Sequence, residues 1–274
     1  MDHIQLLEQV STKQSPPPQA RKLDELIQFM LQNIGTTNAK LRDELIYSGF
    51  CELILNNALH EEQLTSILEI CIDNQHLLYN LGRFDDVDAV FTRSFSSLVI
   101  VLCLMKDHEH PYIQEDLLQR VMKTSYKYFI NEVDFRGYIP HKGWAHSVAH
   151  SSDLLAQLIV HPQFHHYVSV SECLNVLRRW VTLSTPLIDN EHERIIQVIT
   201  ALLDKGLSIH ELSQWLTELQ AASHPDYYTN YRMQWNVEKL IQALYFELIR
   251  NPQLAIYSEN ILTTFILKQE NEVL

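Results

Sequence analysis

The sequence predicts an all-α protein, and three observations carry that expectation. Apolar residues recur at helical spacing along most of the chain: Leu23, Leu26, Ile27, Met30, Leu31 and Ile34 fall at i, i+3, i+4, i+7 positions, which gathers them into one stripe that needs burial. The pattern returns at Leu64, Ile67, Leu68, Cys71 and Ile72, and at Leu240, Ile241, Leu244, Tyr245 and Leu248. No stretch alternates with period two between turn dipeptides, and the hairpin dipeptides Asn-Gly and Asp-Gly do not occur. Finally, Gly35, Gly49, Gly82 and Gly206 each follow a periodic segment, where a left-handed cap favours glycine, and Pro111, Pro162, Pro186, Pro225 and Pro252 fall between segments.

Taken in order, helices are expected at 2–12, 19–33, 38–48, 51–59, 61–80, 87–107, 112–131, 144–160, 169–184, 190–205, 208–221, 229–250 and 253–270. Two of them open on capping boxes, Ser169 with Glu172 and Ser208 with Glu211. QSPPPQ at 14–19 reads as a stiff linker, and nothing like it recurs, so residues 1–18 form an N-terminal helix and linker ahead of a single all-helical domain over 19–274. Many helices on short connections suit stacked antiparallel pairs, an α-α superhelix of HEAT-like kind, although no fixed-period repeat is visible.

Composition narrows the function classes. With 34 acidic against 21 basic residues the net charge is -13, a field that repels phosphate backbones and anionic headgroups, so neither nucleic acid nor membrane is an expected partner. The longest unbroken apolar run, Leu98 to Met105, is far short of the ~20 residues that span a bilayer. The N-terminus lacks the basic, apolar and small-residue regions of a secretory signal. Cys51, Cys71, Cys103 and Cys173 sit singly in apolar patterns and read as core thiols of a reduced protein, which places it in the cytoplasm.

Rare residues concentrate in RGYIPHKGWAHSVAHSSD (136–153), which holds two of six glycines, three of fourteen histidines and one of four tryptophans. On a helix through 144–160, His146, His150, Asp153 and Gln157 share one narrow wedge, while Trp144, Val148, Leu155, Leu158 and Ile159 lie opposite. Imidazoles at i and i+4 stand about 5 to 6 Å apart at Cβ, close enough to share one divalent metal such as zinc, with Asp153 as third ligand or as orienter. The spacing is HxxxH without the glutamate of HExxH, so a zinc-protease mechanism has no support. A solvated polar stripe and a buried hydrogen-bonded network are equally open readings. The small residues Ala145, Ala149, Ser152 and Ala156 favour close approach by a backbone or ligand over plain solvation.

In the preceding loop Arg136 and Lys142 are placed to meet an anion, or Arg136 simply pairs with Asp134 in a connector turned by Gly137. Glu191 and Glu193 open a helix in NEHERII, where carboxylates suit the dipole, and one of them is a candidate ligand for the histidine stripe. HPQFHHY (161–167) reads as C-terminal capping chemistry, and Arg93 on an apolar helix as the buried partner of a carboxylate. No GxSxG, GxxxxGK[ST] or GxGxxG occurs, which disfavours serine hydrolases, P-loop enzymes and dinucleotide-binding folds.

At LRDELIYSGF (41–50), GRFDDVDAVFTRSFSSL (82–98), DFRGYIPHKGWAHSVAHSSDLL (134–155) and NEHERI (190–195) the sequence resembles a bacterial family named domain of unknown function 2785. The resemblance implies a mostly helical, bacterial, cytoplasmic protein, with a signature at Arg136, Gly137, Trp144, His146, His150 and Asp153; it brings no activity or partner with it. Two functions stay in view. One is an interaction or scaffold protein that receives a protein or peptide in a polar His/Asp/Arg groove. The other is a metal-dependent or acid/base, hydrolase-like enzyme on a small anionic molecule, with His146, His150 and Asp153 catalytic or metal-ligating and Arg136, Lys142, Trp144 and Glu191 binding the substrate.

Overall fold

The computed structural model describes residues 2–13, 17–18, 21–252, 254–262 and 265, apart from the side chains of Ile256 and Asn260. Most of the expected linker 14–19 and the tail of the expected last helix lie outside them. The chain is all-α, with one two-stranded hairpin among the described residues. It divides into two compact units, Met1–Tyr167 and Val168–Leu274.

In the first unit, α1 (His3–Ser11) buries Leu7 and Val10 and packs on α3 (Ser48–Leu55) and on the π-helical segment Lys40–Tyr47, so it is built into the unit. Next, α2 (Arg21–Gln32) buries the stripe from Leu23 to Leu31 and contacts α4 (Glu61–Cys71). Gly49 lies inside α3 instead of capping a helix: a Cβ there would come within 2.6 Å of Leu7 Cδ1, so glycine serves the close crossing of α1. The fourth helix stops at Cys71, well before the expected residue 80, because Asp73 turns the chain by accepting from the Gln75 N–H (2.7 Å) and meeting His76 Nδ1 (2.9 Å).

At the centre of this unit runs α5 (Ala89–Glu109), against which α3, α4 and α7 (Ser147–Val160) pack. It is long and apolar enough to cross a membrane, but 89% of its apolar window is buried inside the protein, as befits a core helix. Ser94, Ser96 and Ser97 on α5 are buried, as are Ala149, Ser152 and Ala156 on α7; their small volumes suit closely approaching backbones. The hydroxyls of Ser96 and Ser152 are satisfied within their own helices, each donating to the carbonyl four residues back. The sixth helix, α6 (Glu115–Asn131), also packs on α7.

The second unit contains α8 (Val170–Val181), α9 (Glu191–Asp204), α10 (Ile209–Ala221), α11 (Tyr227–Arg250) and, after the 3₁₀ turn Ala255–Tyr257, α12 (Ser258–Ile261). Both capping boxes form: Ser169 and Ser208 accept from the N–H three residues on and receive the Glu172 and Glu211 carboxylates in return. The ninth helix ends as its glycine requires, with Gly206 at φ 103° and Leu207 N–H donating back to the Leu202 carbonyl.

Asn236 on α11, fully buried, clasps the 183–187 segment. Its amide donates to the Leu183 and Thr185 carbonyls and its oxygen accepts from Leu187 N–H. Beside it, His192 Nε2 donates to the Asn236 carbonyl at 3.1 Å. Burial, reinforced by nearby Lys239, pushes the His192 imidazole from 6.5 down to about 4, although the Asn236 bond pulls the other way.

A folded-state pKa below the unfolded one means that the unfolded chain binds the extra proton first. Stability should therefore fall as pH drops from about 6.5 to about 4, by up to ~3 kcal/mol from this residue. Urea unfolding across that range should show a flatter pH dependence in His192→Gln; an unchanged slope would show that His192 does not set it.

Candidate functional site

The loop rich in rare residues is held from below by a buried ion pair. Arg93 on α5 forks onto Glu132, just past α6, with Nε and Nη2 at 2.6 and 2.7 Å from the two carboxylate oxygens. Its Nη1 reaches the Tyr79 carbonyl at 2.9 Å. Burial is the largest single influence on Arg93 and opposes its charge, but the Glu132 hydrogen bonds and the Glu132 charge, with Tyr128 and Asp134 adding, together outweigh it and hold the guanidinium above its ordinary pKa. Glu132 Oε1 also accepts from the Val133 and Asp134 N–H groups, which fixes where the loop departs.

Two short strands follow, β1 (Tyr138–Ile139) and β2 (Gly143–Trp144), paired antiparallel. The ladder runs on through Ala145 N–H to the Gly137 carbonyl and His146 N–H to the Arg136 carbonyl. Its turn depends on left-handed backbone at His141 (φ 66°) and Gly143 (φ 80°). A Cβ on Gly143 would stand 2.8 Å from Ala39 Cβ and 3.0 Å from Arg42 Nη2, so the position excludes larger residues on two counts. Ile139 and Ala145 pack onto Val90 and Phe91 of α5.

Arg42 fixes the hairpin from the other side. Fully buried, it lies 4.2 Å over the Phe91 ring and 4.7 Å over the Phe95 ring while donating to the carbonyls of Thr36 (2.7 Å), Lys142 (2.8 Å) and Trp144 (3.4 Å). Burial lowers its pKa, and adjacent Asp43, 2.8 Å away, works against that shift.

These braces overturn part of the expected helix. Residues 144–146 are not helical: Trp144 belongs to β2, and His146 is the left-handed residue (φ 49°) that caps α7. Instead of lying opposite the histidines, Trp144 stacks on His146 with ring centroids 4.5 Å apart. His146 meets His150 edge-on at 5.7 Å, and His150 meets core Phe95 at 5.2 Å. Outward from Trp144 the next ring is Tyr138, at 5.0 Å. Five rings thus run from exposed Tyr138 to buried Phe95, with both histidines half-buried between. Asp153 is half-buried one turn beyond His150 on α7.

Neither cation offered to an anion is uncommitted. Arg136 pairs with Asp134, which raises its pKa, and donates to the Val87 carbonyl; Lys142 Nζ contacts both Asp88 oxygens at 2.7 and 2.8 Å. Glu191, in the second unit, is buried and accepts from the Asp189 N–H at 2.8 Å. Sequence reasoning finds Arg93 but misses Glu132, Asp88 and above all Arg42, whose position among the apolar residues of LRDELIYSGF is the one signal that its side chain turns inward.

The buried pair sets the stability of this arrangement. Arg93→Met or Glu132→Leu, each leaving one charge buried alone, should cost about 3 to 5 kcal/mol in urea unfolding, whereas Arg93→Met/Glu132→Leu together should cost clearly less. Additive losses would show that the two residues act separately.

No curated protein and no solved structure matches the chain. A family model described as protein of unknown function (DUF2785) matches residues 77–246, a stretch that contains the turn before α5, the whole hairpin and α7. The chain belongs to the DUF2785 family.

Proposed function

We propose that the chain acts in the bacterial cytoplasm as an interaction protein, and that the hairpin 138–144 with the neighbouring turn 82–88 is where its partner docks. The observation that carries this reading is the division of labour in the loop. Its cations Arg136 and Lys142 are engaged by Asp134 and Asp88, while Tyr138, Trp144, Phe84 and Val87 keep their apolar surface outward. Arg136 and Lys142 also tie the two loops together, through the Val87 carbonyl and Asp88. Rings on a braced backbone lose little entropy on binding, which is why aromatic residues dominate interface hot spots. Exposed Arg83 offsets exposed Asp85 within the turn, so it is the net charge of -13 over the whole chain that favours a peptide segment setting a basic residue beside an apolar one. The free thiols, three of them buried, fit a reducing compartment.

A second reading draws on one distance. His146 and His150 lie edge-on with ring centroids 5.7 Å apart, and with Asp153 one turn on they would serve a metal-dependent or acid/base enzyme acting on a small anion, with a divalent ion such as zinc drawing together ligand atoms that the three residues do not gather by themselves. For that chemistry Arg136 or Lys142 has to exchange its carboxylate for the substrate.

Random peptides displayed against the wild-type chain should yield basic-aromatic sequences with roughly micromolar affinity. Tyr138→Ser/Phe84→Ser, at exposed positions, should weaken them at least about tenfold and shift stability by no more than ~0.5 kcal/mol. Peptides indifferent to both substitutions would sink the docking site. For the second reading, elemental analysis of untagged protein should find about one metal per chain, lost in a folded His146→Ala/His150→Ala variant. Wild-type protein that stays metal-free after zinc dialysis overturns the metal reading.

A further inference from the structure

The chain carries 34 acidic against 21 basic residues, and around the hairpin Arg42, Arg93, Arg136 and Lys142 are each held by a carboxylate. Two cations of the same unit have no such partner and share one cavity. Arg83, in the turn before α5, and Lys127, near the end of α6, line a cavity of about 290 Å³. Among the described residues neither side chain makes an ion pair or a hydrogen bond. The rest of the lining is neutral: Asn74, Asn80 and Asn131 supply carboxamides, Leu78 and Leu81 supply apolar surface, and no described carboxylate takes part.

The carboxylates nearest in sequence are engaged or lie outside the lining. Asp73 accepts from the Gln75 N–H and meets His76, Asp86 accepts from the Tyr79 hydroxyl at 3.2 Å and the Asp88 N–H at 3.0 Å, Glu132 forks onto Arg93, and exposed Asp85 does not line the cavity. The last carbonyls of α6, whose partial negative charge opposes an anion, are also met: that of Lys127 by Asn131 Nδ2 at 2.8 Å and that of Tyr128 by the Glu132 N–H at 2.9 Å. The two walls are tied together by the buried pair behind them. Arg93 holds the Tyr79 carbonyl, next to Asn80, and grips Glu132, next to Asn131. Asn80 (φ 46°) and Gly82 (φ 73°) turn the chain in left-handed backbone, and a Cβ on Gly82 would stand 3.6 Å from the Asn131 carbonyl oxygen, so the turn lies against the end of α6.

We propose that this cavity binds a small hydroxylated phosphate monoester. Two unpaired cations match the charge of about -1.5 to -2 that a phosphate monoester carries at neutral pH, where a carboxylate would satisfy only one. The guanidinium fork meets two phosphate oxygens and the ammonium a third as a point charge. Carboxamides offer hydroxyl groups both donors and acceptors, while Leu78 and Leu81 receive the carbon skeleton. The volume falls near the lower end of the roughly 300 to 1,000 Å³ of ligand cavities, which restricts the occupant to a small molecule. The net charge of -13 opposes anions at a distance, but physiological salt screens that field beyond about 8 Å and leaves the two contacts in force. The site rests on neither reading of the hairpin, since Phe84, Tyr138 and the histidines do not line it.

Equilibrium dialysis of the full chain in low-salt buffer against ribose 5-phosphate, inorganic phosphate, ribose and gluconate tests the assignment. Ribose 5-phosphate should bind wild-type protein with a dissociation constant of roughly 100 µM or tighter, inorganic phosphate about tenfold more weakly, and ribose not at all. Arg83→Gln and Lys127→Gln should each weaken ribose 5-phosphate at least about tenfold with an unchanged melting temperature, as both side chains are exposed. Lys123→Gln, one turn earlier on α6 and outside the lining, should leave binding as it was. Asn74→Leu should weaken ribose 5-phosphate but not inorganic phosphate. Wild-type protein that takes up no ribose 5-phosphate at about 5 mM overturns the proposal. Binding that survives Arg83→Gln/Lys127→Gln, or that Lys123→Gln weakens equally, overturns it by placing the anion elsewhere. Gluconate held as tightly as ribose 5-phosphate overturns the choice of phosphate, and inorganic phosphate held as tightly overturns the role of the carboxamides.

Discussion

The first unit depends on the ion pair between Arg93 and Glu132. Two charges withdrawn from water are costly unless their remaining hydrogen-bonding capacity is used, and here it is used on backbone. The guanidinium spends one donor on the Tyr79 carbonyl and the carboxylate spends an oxygen on two successive N–H groups. One pair thereby joins the central helix, the turn before it, the end of α6 and the start of the hairpin loop. What a smaller apolar pair supplies in burial it lacks in direction, and direction is what the loop requires.

Arg42 repeats the principle with rings in place of a carboxylate beneath the charge. Its guanidinium plane lies over Phe91 and Phe95 while its edge donates to three carbonyls, a combination that a lysine cannot make. The hairpin is thus anchored at both ends by buried arginines, and its own two cations are occupied by surface carboxylates. The rings between Tyr138 and Phe95 owe their order to that anchoring, because His146 has a backbone conformation that only a fixed neighbour on each side sustains.

Helix class and most helix positions are legible in the sequence because apolar periodicity is a local property, read within a few turns. The capping boxes at Ser169 and Ser208 are legible for the same reason, as each needs only four residues. The hairpin escapes because its strands are two residues long, too short for alternation to register, and its turn carries His141 and Gly143 in place of an Asn-Gly pair. Trp144 and His146 look like the first turn of a helix when counted from His150; what moves them out of it is Arg42, a hundred residues earlier. Gly49 shows a further limit, since a glycine after an apolar run has the same appearance whether it caps a helix or lets another helix cross it. Of the expected histidine stripe, His150 and Asp153 lie on α7 while His146 stands just ahead of it, and the ring neighbours of both histidines follow from tertiary contacts that no local pattern encodes.

The buried state of α5 also has a consequence in time. During synthesis this apolar segment is complete while its principal cover, α7, still lies about 40 residues further along the message. At ordinary elongation rates of roughly 5 to 20 residues per second the interval lasts about 2 to 8 seconds. Throughout it the nascent chain displays a helix that machinery sorting proteins by hydrophobic length could take for a membrane anchor. The histidine-bearing helix is therefore also the element whose arrival covers α5 and withdraws it from that competition.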